Sequence, residues 1–417
     1  MAAVPTTTVG VTGQTWRAAV SAWGAVTPLA GPDERTLEWY VAADDRWHRP
    51  ANEPTVRQRR VDGTPVIETR VRIPDGDAVQ RVWSVADGGG FTIVEIENDS
   101  PLPFAVAFAG RPVLTERPPA DAPIEGIDLP DDAIVLPVGH RAAVRVALAH
   151  RDVPAGPGEP ARLSGAPGAS DVARGWTAVA ARAGRVDLPD PGLAEAVVAA
   201  RCDLMLDGPI DAAVDPIGFV LDVGELVRCG EPADPWLAEV VVPIESVARS
   251  GDHFLAAALD AAARIAVAAS DDRALGDIVR LRARVNPATR PAGSFAELRR
   301  AGSAGRFVHD VERHLACGGE LLPAGIPTRW FGSNFEVHGV PTGDRSAVSY
   351  AVRWHGERPA VLWEQTGESQ RLTAPGLDAA WSTAAPAGEA LWAAPPRVNR
   401  APLSVTAVPE DGSASFS

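Results

Sequence analysis

Asp222 and Glu225 stand three residues apart in a stretch that reads as helix, so their carboxyl groups share one face. Two carboxyl groups so placed could divide the work of general acid and general base. Val220, Val223 and Val227 line the other side, and a charged face opposite a valine face is also the pattern of a helix turned to water. A second concentration is Glu38-Trp-Tyr-Val-Ala-Ala-Asp-Asp-Arg-Trp-His48, with three aromatics, three acids, an arginine and a histidine in eleven residues. Trp39 and Trp47 offer flat surfaces for stacking, and Asp44 and Asp45 offer acceptors for hydroxyl groups. Turn chemistry also accounts for Asp44-Asp45. A third group is Trp330, Phe331, Asn334, Glu336 and His338, followed by Arg353, Trp354, His355 and Glu364. Were the second and third groups to converge over the helix ends, a polar, aromatic pocket would form at a domain interface.

Several chemistries are excluded or disfavoured. The chain contains no lysine, so it has neither a Schiff-base nor a P-loop lysine. No G-x-S-x-G elbow and no helix-opening dinucleotide fingerprint is present, and no cofactor is expected. Cys202, Cys229 and Cys317 are odd in number and lack CxxC spacing, which predicts reduced, packed thiols in a cytoplasmic protein. His253, His309 and His314 lack the spacing of metal ligands, so no metal site is expected. A net charge of −15 disfavours nucleic acid and anionic membranes. The basic run Arg57-Gln58-Arg59-Arg60 reads as a solvated strand edge, and Asp87-Gly88-Gly89-Gly90 as a hairpin turn. The first residues lack a basic segment followed by an apolar run, so no signal peptide is expected.

The elements that must position these residues predict an α+β fold. Residues 1–152 read as an antiparallel β-sandwich, with strands near 36–42, 64–73, 79–86, 91–97, 104–108, 133–137 and 142–149. Pro and Gly density marks 153–189 as linker or loop. Residues 190–318 read as α-helical hairpins, with starts at Asp190-Pro191, Asp215-Pro216 and Asp234-Pro235, where Asp caps and Pro takes the first helical position. Further helices are expected at 252–269, 271–284, 294–302 and 305–317. Glu245 with Arg249, and Asp310 with His314, have the spacing of surface pairs. Residues 319–408 read as an antiparallel β-sheet domain with strands at 332–340, 346–354 and 360–365, and 409–417 as a disordered tail.

This order of parts resembles the glucoamylase-like, six-hairpin glycosidases. Run 91–108, Phe-Thr-Ile-Val-Glu-Ile-Glu-Asn-Asp-Ser-Pro-Leu-Pro-Phe-Ala-Val-Ala-Phe, is similar to a strand–turn–strand pattern of their N-terminal sandwich. Run 326–343, Ile-Pro-Thr-Arg-Trp-Phe-Gly-Ser-Asn-Phe-Glu-Val-His-Gly-Val-Pro-Thr-Gly, together with 352–364, is similar to the β domain that follows the helices in some of them. The resemblance implies a carbohydrate ligand and hydrolysis by a carboxyl pair held over an α/α toroid. The helical segment is too short for twelve helices, so a partial toroid is expected. Five tryptophans precede residue 100 and five follow residue 329, so a sugar site would be built largely by the β flanks. Two functions are therefore expected. One is a glycoside hydrolase with Asp222 and Glu225 as its carboxyl pair and Trp39, Asp44, Asp45, Trp47, Trp330, Glu336 and His338 holding substrate. The alternative is a non-catalytic relative that binds sugar, or that assembles through the alanine-rich 256–269 face.

Overall fold

The computed structural model describes residues 5–29, 35–43, 45–120, 129–150, 163, 165–248, 250–285, 291 and 293–395. The fold is α+β: N-terminal antiparallel sheets, seven α-helices among the described residues, and C-terminal sheets. Asp44, Arg249 and the expected tail at 409–417 lie outside the described residues. No described helix is long and apolar enough to cross a membrane.

Three sheets form the N-terminal part. Thr6–Gly10, Arg17–Ser21 and Val26–Pro28 make one. The second has the order Ile134–Val138, Phe104–Ala109, Glu38–Ala42, Trp47–His48. The third has the order Leu114–Thr115, Ala143–Ala149, Phe91–Asp99, Gly76–Val85, Ile67–Ile73, Arg57–Arg60. Val20, Val41, Val82, Val94, Val106 and Leu136 meet in one core between them. Strand alternation turns Trp39 and Val41 into that core and Tyr40 to the opposite face, where it packs with Trp47 and Ala107. The expected hairpin turn is present as a 3-10 turn at Asp87–Gly89. Gly90 follows it at φ 100°, and a Cβ there would come within 2.6 Å of the Trp16 ring. Arg57–Arg60 is an edge strand, with its arginines paired to Asp77, Glu68 and Asp203.

The linker expected over 153–189 needs correcting. Residues 169–187 are ordered as helix α1 (Ala169–Ala180), a 3-10 turn (Ala181–Ala183) and the strand Arg185–Asp187. Ala169, Ala173, Trp176 and Ala180 form an apolar stripe at helical spacing. The front of that stripe packs against Trp83, Phe91 and Ile93 of the six-stranded sheet. The Pro/Gly density just upstream obscured the stripe in the sequence.

The remaining helices are α2 (Pro191–Asp207), α3 (Pro216–Cys229), α4 (Asp234–Val247), α5 (Leu255–Ala268), α6 (Asp272–Arg282) and α7 (Ala304–Leu315). Asp190 and Asp215 cap α2 and α3 through the N–H groups of Leu193 and Gly218, at 3.2 and 2.9 Å. Asp234 is the first residue of α4 rather than its cap. The helix expected at 294–302 is only a 3-10 turn, Phe295–Glu297. Its Glu297 carboxylate accepts from the Ser294 N–H at 3.2 Å, but too few apolar residues follow to hold a longer helix. Helix α3 packs against α2, α4, α5 and α7, and its residues 217–226 are all buried. Gly305 of α7 allows the closest approach, since a Cβ there would lie 2.4 Å from the Leu221 carbonyl carbon.

Arg185–Asp187 opens a five-stranded C-terminal sheet that continues through Phe335–Pro341, Ser346–His355, Arg358–Gly367 and Ala387–Leu391. A second sheet contains Ala316–Cys317, Glu320–Leu321, Leu372–Ala374 and Asp378–Thr383. Helical residues Val197, Val311 and Leu315 share a core with Val337, Tyr350 and Trp363. The C-terminal sheets are thus packed on the helices.

Candidate functional site

The carboxylates of Asp222 and Glu225 are not on a solvated face. They are 2% and 6% exposed, because α3 is surrounded. Asp222 accepts from the N–H groups of Ile210 (2.9 Å) and Gly305 (2.6 Å) and from the Ser303 hydroxyl (2.8 Å). It therefore fixes the loop before α3 and the start of α7. Burial pushes its carboxyl above the ordinary range, against those three hydrogen bonds.

Glu225 points into a cluster of four charges. Arg201 of α2 donates to Glu225 at 3.1 Å and to Glu312 of α7 at 3.0 Å. Arg228 donates to both Glu312 oxygens, at 2.9 and 3.0 Å, and to Glu225. The guanidinium groups also reach the carbonyls of Ala183 (3.2 Å, from Arg201) and Gly339 (3.3 Å, from Arg228). Two carboxylates and two guanidiniums are thus matched where α2, α3, α7, the end of α1 and the C-terminal sheet meet. Desolvation works to raise the Glu225 carboxyl, but Arg228 and Arg201 outweigh it and hold it below its ordinary range. The geometry suits a structural lock. Beside it, burial pushes the thiols of Cys202 and Cys229 up to about 12, which suppresses the thiolate form.

The N-terminal candidates divide. Trp39 is 2% exposed and donates its indole N–H to the Trp23 carbonyl at 3.0 Å, so it is a core residue. Trp47 lines a groove of about 950 Å³ together with Glu38, Tyr40, Arg46, Arg49 and Glu53. Tyr40 donates to Glu38 at 2.9 Å, and Arg49 donates to the same oxygen at 2.8 Å while standing 5.8 Å from the Tyr40 ring centre. Arg46 grips both oxygens of Glu53, at 2.7 and 3.1 Å. That contact holds the Glu53 carboxyl below its usual range. The His48 ring lies between Glu53 (3.1 Å) and the exposed Asp45 (3.0 Å). Tyr40 and Arg46 are within the aromatic run; Arg49 and Glu53 join it through the pairing of Glu38–Ala42 with Trp47–His48 and the turn that follows.

The C-terminal candidates are not gathered into a pocket. Trp330 is fully buried, 4.7 Å from the Phe295 ring and 5.5 Å from the Phe335 ring, so it supports the core instead of offering a platform. Glu336 and His338 lie on the sheet surface 3.1 Å apart, beside Arg353 and Arg185. Hydrogen bonds from His338 and Arg353 hold the Glu336 carboxyl low. Every residue lining the groove is N-terminal, so the expected convergence of the two aromatic groups is absent among the described residues. Two surface expectations also change. His314 is 2% exposed and bonds to the Asp310 carbonyl at 2.8 Å. The alanine face of α5 is packed inside the helices.

A second cleft, of about 490 Å³, lies where α5, α6 and α7 meet the turn at 342–344. Asp260, Arg264, Arg282, His309, Glu312 and Cys317 are among its walls. Sequence reasoning passed over Arg264, although it and Asp260 are the only polar residues in the fourteen of α5. No protein-family model matches this sequence, and no curated protein matches it either.

Proposed function

We propose that this protein is a carbohydrate-binding, non-catalytic relative of the six-hairpin glycosidases, and that its N-terminal groove holds the sugar. The observation that carries the reading is the placement of Trp47 and Tyr40 beside Glu38, Glu53, Arg46 and Arg49 in one open groove. Sugar rings present apolar C–H faces and a rim of hydroxyls. Aromatic surfaces meet the faces, and charged groups already fixed by one another meet the rim at low ordering cost. The order of sandwich, helices and C-terminal sheet supports the family reading. The non-catalytic reading is supported by the commitments of Asp222 and Glu225. Each is buried, and each has its oxygens occupied by donors of the fold.

Calorimetric titration with maltotriose and cellotriose tests the proposal. One of these sugars is expected to bind saturably, and Trp47→Ala is expected to weaken it about tenfold, roughly 1.4 kcal/mol. No saturable binding of either sugar, or equal binding by the variant, rejects the groove. Release of reducing ends by the wild type that Glu225→Gln abolishes without loss of fold rejects the non-catalytic reading.

A further inference from the structure

The cleft between α5, α6 and α7 gathers an arginine and a histidine that each keep a buried nitrogen without a hydrogen-bond partner. Of the four carboxylates that line it, Glu320 is engaged and Asp344 stands on the turn at 342–344, and the other two are taken by arginines. Asp260 takes Arg282 at 2.7 Å, and Glu312 takes Arg201 and Arg228 at 2.9–3.0 Å. Arg264 faces the same cleft without a carboxylate at ion-pair distance among the described residues. Its one hydrogen bond runs to the Gly343 carbonyl, at 3.5 Å, and its Nε is buried without a partner. His309, across the cleft on α7, likewise has a buried Nε2 without a partner. A buried polar nitrogen without a hydrogen-bond partner is costly, and two of them beside one cavity mark a place where a ligand atom could be bound.

We infer that this cleft binds a small organic oxyanion, a carboxylate or phosphate group, which pairs with the Arg264 guanidinium and accepts from His309. Planar guanidinium groups suit both anions, which can accept two parallel hydrogen bonds. Burial, then Arg313, Arg264 and Arg228, push the His309 imidazole well below its ordinary value, which keeps it neutral. Burial, the largest cause, and Arg228 also lower the Arg264 guanidinium, and Asp260, Glu312 and Glu225 offset this only in part. An anion would relieve both. A space of about 490 Å³ suits a small-molecule ligand. The inference does not depend on the sugar groove, which is lined by other residues of another domain.

The test is calorimetry on the full chain in an amine buffer containing chloride only, with inorganic phosphate, glucuronate and glucose as probes. Saturable binding of phosphate or glucuronate is expected, with about a tenfold loss in Arg264→Gln. Binding of glucuronate alone identifies a carboxylate ligand, and binding of phosphate in addition identifies a general oxyanion site. Trp47→Ala should bind the anion as the wild type does, which separates this site from the groove. Arg264→Gln should also melt no lower than the wild type without anion, because it removes an unpaired charge. The inference is overturned if neither anion binds, if glucose competes for the same site as well as glucuronate does, or if Arg264→Gln binds equally. It is also overturned if that variant melts well below the wild type in the chloride buffer, since the guanidinium would then already be compensated.

Discussion

Two of the centres where glutamate meets arginine in this protein behave differently. In the N-terminal groove Arg46 grips Glu53 at 2.7 Å with the arginine side chain 55% exposed. Between α2, α3 and α7, Arg201 grips Glu225 at 3.1 Å with the arginine 2% exposed. The distances are similar. What differs is the surrounding medium. Both glutamate side chains are 8% exposed, but water reaches the arginine of the groove pair, so that pair is partly screened and its arginine can be re-partnered by a ligand. The interior pair has no water to fall back on, so each charge depends on the other. A carboxylate near an arginine therefore suggests a binding group in one place and a fixed structural member in the other.

The largest expected effect breaks the buried centre. Glu312→Ala leaves Arg201 and Arg228 facing Glu225 alone, two guanidiniums against one carboxylate. Removing one partner of a buried ion pair costs about 3–5 kcal/mol. Urea unfolding should show a loss of that size; a change below about 1 kcal/mol would mean that water reaches the cluster.

Asp222→Ala comes next, because it strips the acceptor from two backbone N–H groups and a hydroxyl at the start of α7. Leaving buried donors unmatched costs about 1–3 kcal/mol. Hydrogen exchange should find the added opening concentrated at Ile210 and Gly305. Uniform exchange across the protein would contradict the capping role.

These buried residues show where the sequence could be read and where it could not. The Asp190 and Asp215 caps were legible because capping is settled within four residues, and the strand periodicities were legible for a similar local reason. The burial of Asp222 and Glu225 depends on what surrounds α3, and that is a tertiary fact. A hint was present: Phe219, Val220, Leu221, Val223 and Leu226 carry apolar side chains around the whole helix, the pattern of a central element. Arg264 gave a similar hint as a lone guanidinium in an alanine helix. Trp330 gave none, since composition does not say which way an indole turns. Half of the aromatic groove was legible as a run of residue types. Glu53 and Arg49 join it through a turn and a strand pairing that composition does not encode.

Acid sharpens the contrast within α3 itself. The Glu225 carboxyl is held below its ordinary value of 4.5, so its contribution is present above that pH and is lost as pH falls through the folded-state value. The Asp222 carboxyl is raised from 3.8, so its titration contributes below 3.8 and that contribution is lost as pH rises through the folded-state value. Glu225→Gln should flatten the acid-side fall of stability, and Asp222→Asn should steepen it. Stability curves measured from pH 3 to 6 that shift in the same direction for both variants would contradict the opposed shifts.

The smallest stability effect belongs to the groove, where the test is a dissociation of stability from binding. Glu53→Gln keeps the shape of the side chain but weakens the grip of Arg46 and the contact with His48. His48 is buried but Arg46 stays close to water, so the urea midpoint should move less than in either core variant. Sugar affinity should nonetheless fall, since a hydroxyl acceptor has lost its charge and its fixed orientation. The two readouts fail in distinguishable ways. A large midpoint shift would make Glu53 a second structural lock, and the groove would then resemble the interior it is contrasted with. An unchanged midpoint with unchanged affinity would remove Glu53 from the sugar site and leave Trp47 and Glu38 to account for it.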